Sequence, residues 1–149
     1  MKFSQFIKKI VVVVFFMASF ALSNSIMAQH TLTVEISNLK SDKGNVMIAL
    51  FKGEAGFPKD DSKAIQKTKV IIKDKKAIIT FTNLPTGDYA FALFHDENGS
   101  NAMDSNMFGI PKEGYGFSTN FKPTMSVPDF DEANFKIEGD TVQKIKIIN

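Results

Sequence analysis

The chain has 149 residues, with eighteen basic residues that are all lysine, sixteen acidic residues, two histidines and no cysteine. Without cysteine it forms no disulfide, takes no lipid on a thiol and builds no thiolate metal site, and without arginine it lacks the bidentate fork suited to phosphate and carboxylate groups. The formal charge of +2 comes from residues 1–28, which hold three lysines and no acid; the rest has fifteen basic against sixteen acidic groups, so the electrostatic drive for nucleic acid is missing.

Lys2, Lys8 and Lys9 precede an apolar run over residues 10–22 broken only by Ser19, and small or polar residues follow to Ala28. This is the order of a cleavable secretory signal peptide. About thirteen apolar residues fall short of the roughly twenty that span a bilayer as a helix. Cleavage after Ala28 is expected, with a cut after Ser25 as the alternative. The division is therefore a signal peptide at 1–28 and one domain at 29–149, secreted or periplasmic, with no membrane attachment once the leader is gone.

Beyond the leader the hydrophobic period is two. In residues 31–37, Leu32, Val34 and Ile36 alternate with Thr33, Glu35 and Ser37, the pattern of a strand with one wet face. Residues 40–44 make a turn, and 45–51 are apolar on both parities, as in a central strand covered on both sides. A polar connection over 52–68 has room for one helical turn at 62–67. Residues 69–73 and 76–82 predict a hairpin around Asp74 and Lys75, with Val70, Ile72, Ala77, Ile79 and Phe81 pointing inward. Pro85-Thr86-Gly87 predicts a tight corner, followed by a strand over 88–94 whose Tyr89 is placed to hydrogen-bond back to that corner. Residues 95–133 carry little strand or helix periodicity, yet their aromatics argue for an ordered connection. Two strands close the chain, 133–138 and 141–148, the second with a parity slip between Val142 and Ile145 that suggests a bulge. The expected fold is all-β: a single antiparallel β-sandwich of about seven strands, immunoglobulin-like or transthyretin-like, with one long ordered loop.

Three runs carry a resemblance: Gly-Asn-Val-Met-Ile-Ala-Leu-Phe at 44–51, Phe-Thr-Asn-Leu-Pro-Thr-Gly-Asp-Tyr-Ala-Phe-Ala-Leu-Phe-His-Asp-Glu-Asn at 81–98, and Phe-Gly-Ile-Pro-Lys-Glu-Gly-Tyr-Gly-Phe-Ser at 108–118. Together they resemble the bacterial exported family named domain of unknown function 2141, over nearly all of the chain beyond the leader. The resemblance implies an exported single sandwich domain and implies no activity. The family pattern after the histidine resembles Asp-x-Asn-Gly-Asn-Gly-x-x-Asp, from which this chain departs at Ser100 and Asn101.

Side-chain oxygens are densest in the segment from His95 to Asn106. Counted from Asp96, a calcium loop would draw on Asp96, Asn98, Ser100 and Asp104, with Asn101 at the sharp turn and Glu113 standing in for the missing acid at the twelfth place, which is Met107. The competing reading has these side chains capping turns of their own loop. No cofactor is expected apart from that calcium. His95, Asn101, Asn106, Glu113 and Tyr115 complete the candidate binding loop. A hydrolase would have to pair His95 with Ser118 or Ser126, and no nucleophile elbow surrounds either serine. Phe108, Pro111, Tyr115, Phe117 and Phe121 form either a contact surface for a partner or glycan or a second small core pinning the loop down, and the second reading is preferred because exposing them together would invite aggregation. The expectation is a non-catalytic exported module, binding or envelope-associated through residues 95–118, whose partner is a protein or glycan of the cell envelope.

Overall fold

The computed structural model describes residues 29–124 and 126–149; the expected signal peptide lies outside the described residues. Eight strands run in the order β1 (Gln29–Ser37), β2 (Asn45–Lys52), β3 (Gln66–Ile71), β4 (Ala77–Pro85), β5 (Gly87–Asp96), β6 (Tyr115–Phe117), β7 (Phe135–Ile137) and β8 (Thr141–Lys146). They form two sheets, β4-β1-β8 and β3-β2-β5-β6, with β7 pairing the start of β5. The fold is an all-β sandwich.

The two-residue period explains the layers. Leu32, Val34 and Ile36 of β1, Ile79 and Phe81 of β4 and Ile145 of β8 meet Val46, Ile48 and Leu50 of β2 and Tyr89, Phe91 and Leu93 of β5 in one buried cluster. Each such side chain removed from water contributes roughly 1.5–3 kcal/mol. Tyr89 is fully buried, and its hydroxyl donates to the Pro85 carbonyl at 2.6 Å, closing the corner between β4 and β5 as its spacing from Gly87 predicts.

Strand assignment to sheets departs from the sequence expectation. Asp74 and Lys75 both take positive φ, 54° and 55°, and make the expected tight turn, but only Lys73 and Lys76 pair across it. From there β3 joins β2 and β4 joins β1, so the predicted hairpin is a corner between sheets. Facing across the core buries the apolar sides of both segments, and the five inward positions read from the sequence all point there: Ile72, Ala77, Ile79 and Phe81 are buried and Val70 packs against them. The sandwich is also not wholly antiparallel, because β8 lies parallel to β1 from Leu32↔Thr141 to Ser37↔Lys146. That register is continuous, so β8 has no bulge; Val142 simply faces outward, 57% exposed, and the irregular pairing falls in β1 between His30 and Leu32. The strand expected at 133–138 is present but shorter, as β7 over Phe135–Ile137, and a short helix, α1 (Phe130–Ala133), precedes it. The helical turn expected at 62–67 is a 3-10 turn at Asp61–Lys63, and Gln66 already begins β3.

A second apolar layer covers part of the outer face of the larger sheet. Phe57, Phe121, Phe130 and Tyr115 pack on Ala90, Phe117 and Ala133. Phe57 meets Phe51, Phe117 and Phe130 edge to face at 5.5, 6.5 and 6.0 Å, a favourable arrangement of ring quadrupoles. Buried Ser118 fastens this layer to the sheet: its hydroxyl accepts the Phe91 N–H at 3.1 Å and donates to the Ala133 carbonyl at 2.5 Å.

Candidate functional site

The segment after β5 is a hairpin built on a rigid footing. The turn between β1 and β2 presses against the end of β5 so closely that a Cβ on Gly44 would lie 1.8 Å from the Asp96 carbonyl oxygen, and Gly44 has φ +69°. Only glycine meets both conditions without strain. One residue earlier, the Lys43 carbonyl takes a hydrogen bond from His95 at 2.8 Å, which places the ring proton on Nε2. His95 is fully buried, its Nδ1 has no partner, and its backbone N–H donates to the Gly114 carbonyl at 2.7 Å.

Two buried carboxylates then organise the backbone. Asp96 is 1% exposed: Oδ1 accepts the N–H groups of Gly99 and Ser100 at 2.9 and 3.0 Å, and Oδ2 accepts that of Asn101 at 3.1 Å. Asn101 sits at φ +60°, where asparagine is tolerated better than most residues. Glu113, 7% exposed, reaches across the hairpin, its two oxygens accepting the N–H groups of Glu97 at 3.0 Å and Asp104 at 3.1 Å. Ionised acceptors make such bonds stronger than neutral ones. The Asn98 amide donates to Asp104 Oδ2 at 2.7 Å while its oxygen accepts the Ser100 N–H, and the Ser100 hydroxyl donates to the Ala102 carbonyl.

Above this base, the Lys112 N–H donates to the Asp104 carbonyl at 2.8 Å and Ser105 pairs with Pro111. The Asn106 side-chain oxygen accepts the N–H groups of both Phe108 and Ile110, the Asn106 carbonyl accepts that of Gly109, and the Ile110 carbonyl accepts that of Asn106. Every N–H from 108 to 110 is therefore bonded inside the turn. The side chains point the other way: Met107 is 91% exposed, Phe108 80% and Ile110 59%.

The sequence-predicted residues Asp96, Asn98, Ser100, Asn101, Asp104, Asn106 and Glu113 fall into this one stapled hairpin. His95 lies beneath it. Tyr115 stands on β6, half-buried, with its ring 5.9 Å from that of Phe117 and its backbone paired with Ile148. The capping reading describes the hairpin's polar side chains: the Asp96 oxygens face N–H donors, the Ser100 hydroxyl faces a carbonyl, and among the described residues no three histidine or acidic side chains are grouped to hold an ion. Calcium needs six or more oxygens turned to one point, and in this structure five backbone N–H groups point at the Asp96 and Glu113 oxygens. Ser118 is committed to the backbone, and no hydrogen bond joins it to His95.

The second core expected of the aromatics is correct for Phe117 and in part for Tyr115 and Phe121, whereas Phe108 and Pro111 stand exposed. The missed residues are Met107 and Ile110, which stand exposed beside Phe108. Their signal was present: Asn106, Gly109 and Pro111 are turn formers interleaved with large apolar residues, and a turn tip has no neighbours to bury them.

The chain belongs to a bacterial family of uncharacterized proteins, domain of unknown function 2141, whose model matches residues 34–146. No curated protein and no solved structure matches the chain.

Proposed function

We propose that this is an exported, non-catalytic module of the cell envelope that binds an envelope component through the hairpin at residues 95–118. The observation that carries the reading is the combination of a base held by two buried carboxylates with a tip of exposed Met107, Phe108 and Ile110. Ordering a loop costs entropy, and a loop already ordered binds without that cost. Export is supported by the order of charge, apolar run and small residues in 1–28. An immunoglobulin-like or transthyretin-like form of the sandwich is supported by the tyrosine corner at Tyr89.

The test is fractionation of the producing bacterium expressing the wild type or the triple variant Met107→Ser, Phe108→Ser, Ile110→Ser. The wild type is expected with the envelope and the variant in the soluble fraction; identical partition of the two defeats the proposal.

A further inference from the structure

We propose that Asn98-Gly99 is a modification site, at which the main-chain nitrogen of Gly99 closes on the Asn98 side-chain amide once the hairpin base opens, and that the Asp96 carboxylate holds this reaction back. The chain has ten asparagines, and only Asn98 is followed by glycine. Ring closure brings a backbone nitrogen onto the preceding side chain, and a residue without a Cβ obstructs that approach least. Asn98 and Gly99 are both exposed, and a Cβ built on Gly99 would meet no heavy atom beyond its chain neighbours within 4 Å, so the ring and the water that opens it have room. In the step itself the Gly99 nitrogen bonds to Asn98 Cγ, and its proton departs with the amide nitrogen as ammonia. Water then opens the five-membered imide at either carbonyl, leaving aspartate or isoaspartate.

Three hydrogen bonds oppose the step in the closed hairpin. The Gly99 N–H donates to Asp96 Oδ1 at 2.9 Å, so the proton that must leave lies against an anion, and a bond to a charged acceptor is stronger than a neutral one. The Asn98 amide is held at both ends, donating to Asp104 Oδ2 at 2.7 Å and accepting the Ser100 N–H at 2.9 Å. Ring closure forfeits the bond to Asp104 outright, because the donating nitrogen is the one expelled. Asp96 is 1% exposed and also accepts from Ser100 and Asn101, so Gly99 is freed only by disturbing a footing that three N–H groups share. The product cannot rebuild the base. Aspartate at 98 has no donor for Asp104 and sets a second carboxylate against it, and like charges in contact disfavour each other. Isoaspartate adds a methylene to the main chain ahead of Gly99, which displaces the N–H groups aligned on Asp96. Opening therefore exposes the hairpin to a one-way loosening.

The test incubates the full chain at mildly alkaline pH, folded or unfolded in guanidinium chloride, and follows the fragment containing Asn98 by mass spectrometry for conversion of amide to carboxyl and for isoaspartate. Isoaspartate reports ring closure itself, which loosening alone does not produce. The unfolded chain is expected to convert at Asn98 ahead of every other asparagine, and the folded wild type at least about tenfold more slowly. Asp96→Ala should recover most of that difference, and Asp96→Asn, which keeps one acceptor oxygen, part of it. Tyr89→Phe, which weakens the fold at the other end of β5, should leave the rate at Asn98 unchanged. Equal rates in folded and unfolded wild type overturn the inference, as do Asp96 variants that convert no faster than wild type, or a Tyr89→Phe chain that converts as fast as Asp96→Ala. If Asp96→Ala fails to fold, Asp96→Asn against Tyr89→Phe decides between the same results.

Discussion

The base and the tip of the hairpin spend their side chains in opposite ways. At the base, Asp96, Asn98, Ser100, Asp104 and Glu113 turn onto the backbone, and at the tip Met107, Phe108 and Ile110 turn away from it. A small domain cannot build an apolar core under every projection, so here hydrogen bonds to two carboxylates replace packing as the source of order. Apolar side chains are thereby left free to face outward.

Substitutions that attack the base should therefore cost stability, and those at the tip should not. The largest effect is expected at the footing: Gly44→Ala adds a Cβ against the Asp96 carbonyl at positive φ and should destabilise the fold by about 3 kcal/mol, read by chemical denaturation. Asp96→Ala strips three N–H groups of their acceptor and should cost about 2–3 kcal/mol, with amide exchange accelerating at Gly99, Ser100 and Asn101. Asp96→Asn, which keeps one acceptor oxygen, should lose less.

Tyr89 sharpens the contrast from the other side of the molecule, since its hydroxyl is tied to one carbonyl within a true core. Tyr89→Phe should cost about 1–2 kcal/mol. Burial pushes the Tyr89 phenol above its ordinary value of 10.0. The neutral form is thus favoured by folding: its contribution is complete below pH 10 and declines as pH rises through the folded value. The wild type should lose stability in that alkaline window more steeply than Tyr89→Phe does. Smaller still, Met107→Ser and Ile110→Ser should change stability by no more than about 0.5 kcal/mol. Millimolar calcium should leave the melting temperature unmoved, because the Asp96 and Glu113 oxygens already accept N–H groups.

Local chemistry was legible in the sequence and pairing was not. The alternation in residues 31–37 and the inward set of Val70, Ile72, Ala77, Ile79 and Phe81 needed only the two-residue period, and Tyr89 only its distance from Gly87. Which sheet receives a strand depends on partners far along the chain, so the turn at Asp74 and Lys75 looked like a hairpin until β3 and β4 were seen to part. The parallel docking of β8 left no local mark at all. The same limit applied to the candidate site. The oxygens of residues 96–106 were correctly gathered into one loop, but periodicity carries no information in a segment without regular structure, so only the turn formers Asn106, Gly109 and Pro111 around it could tell Phe108, facing out, from Phe117, facing in.

The parallel union of β1 and β8 governs when this protein can exist. Leu32 pairs with Thr141, the Thr31 N–H donates to Asp140, and Asn38 donates to the Ile147 carbonyl, so the first strand waits for the last ten residues. Contacts across such separations form late and slowly. The smaller sheet cannot close on that edge until residues 141–146 have been synthesised. Loss of β8 would leave β1 with one neighbour in place of two and take Ile145 and Ile147 out of the core.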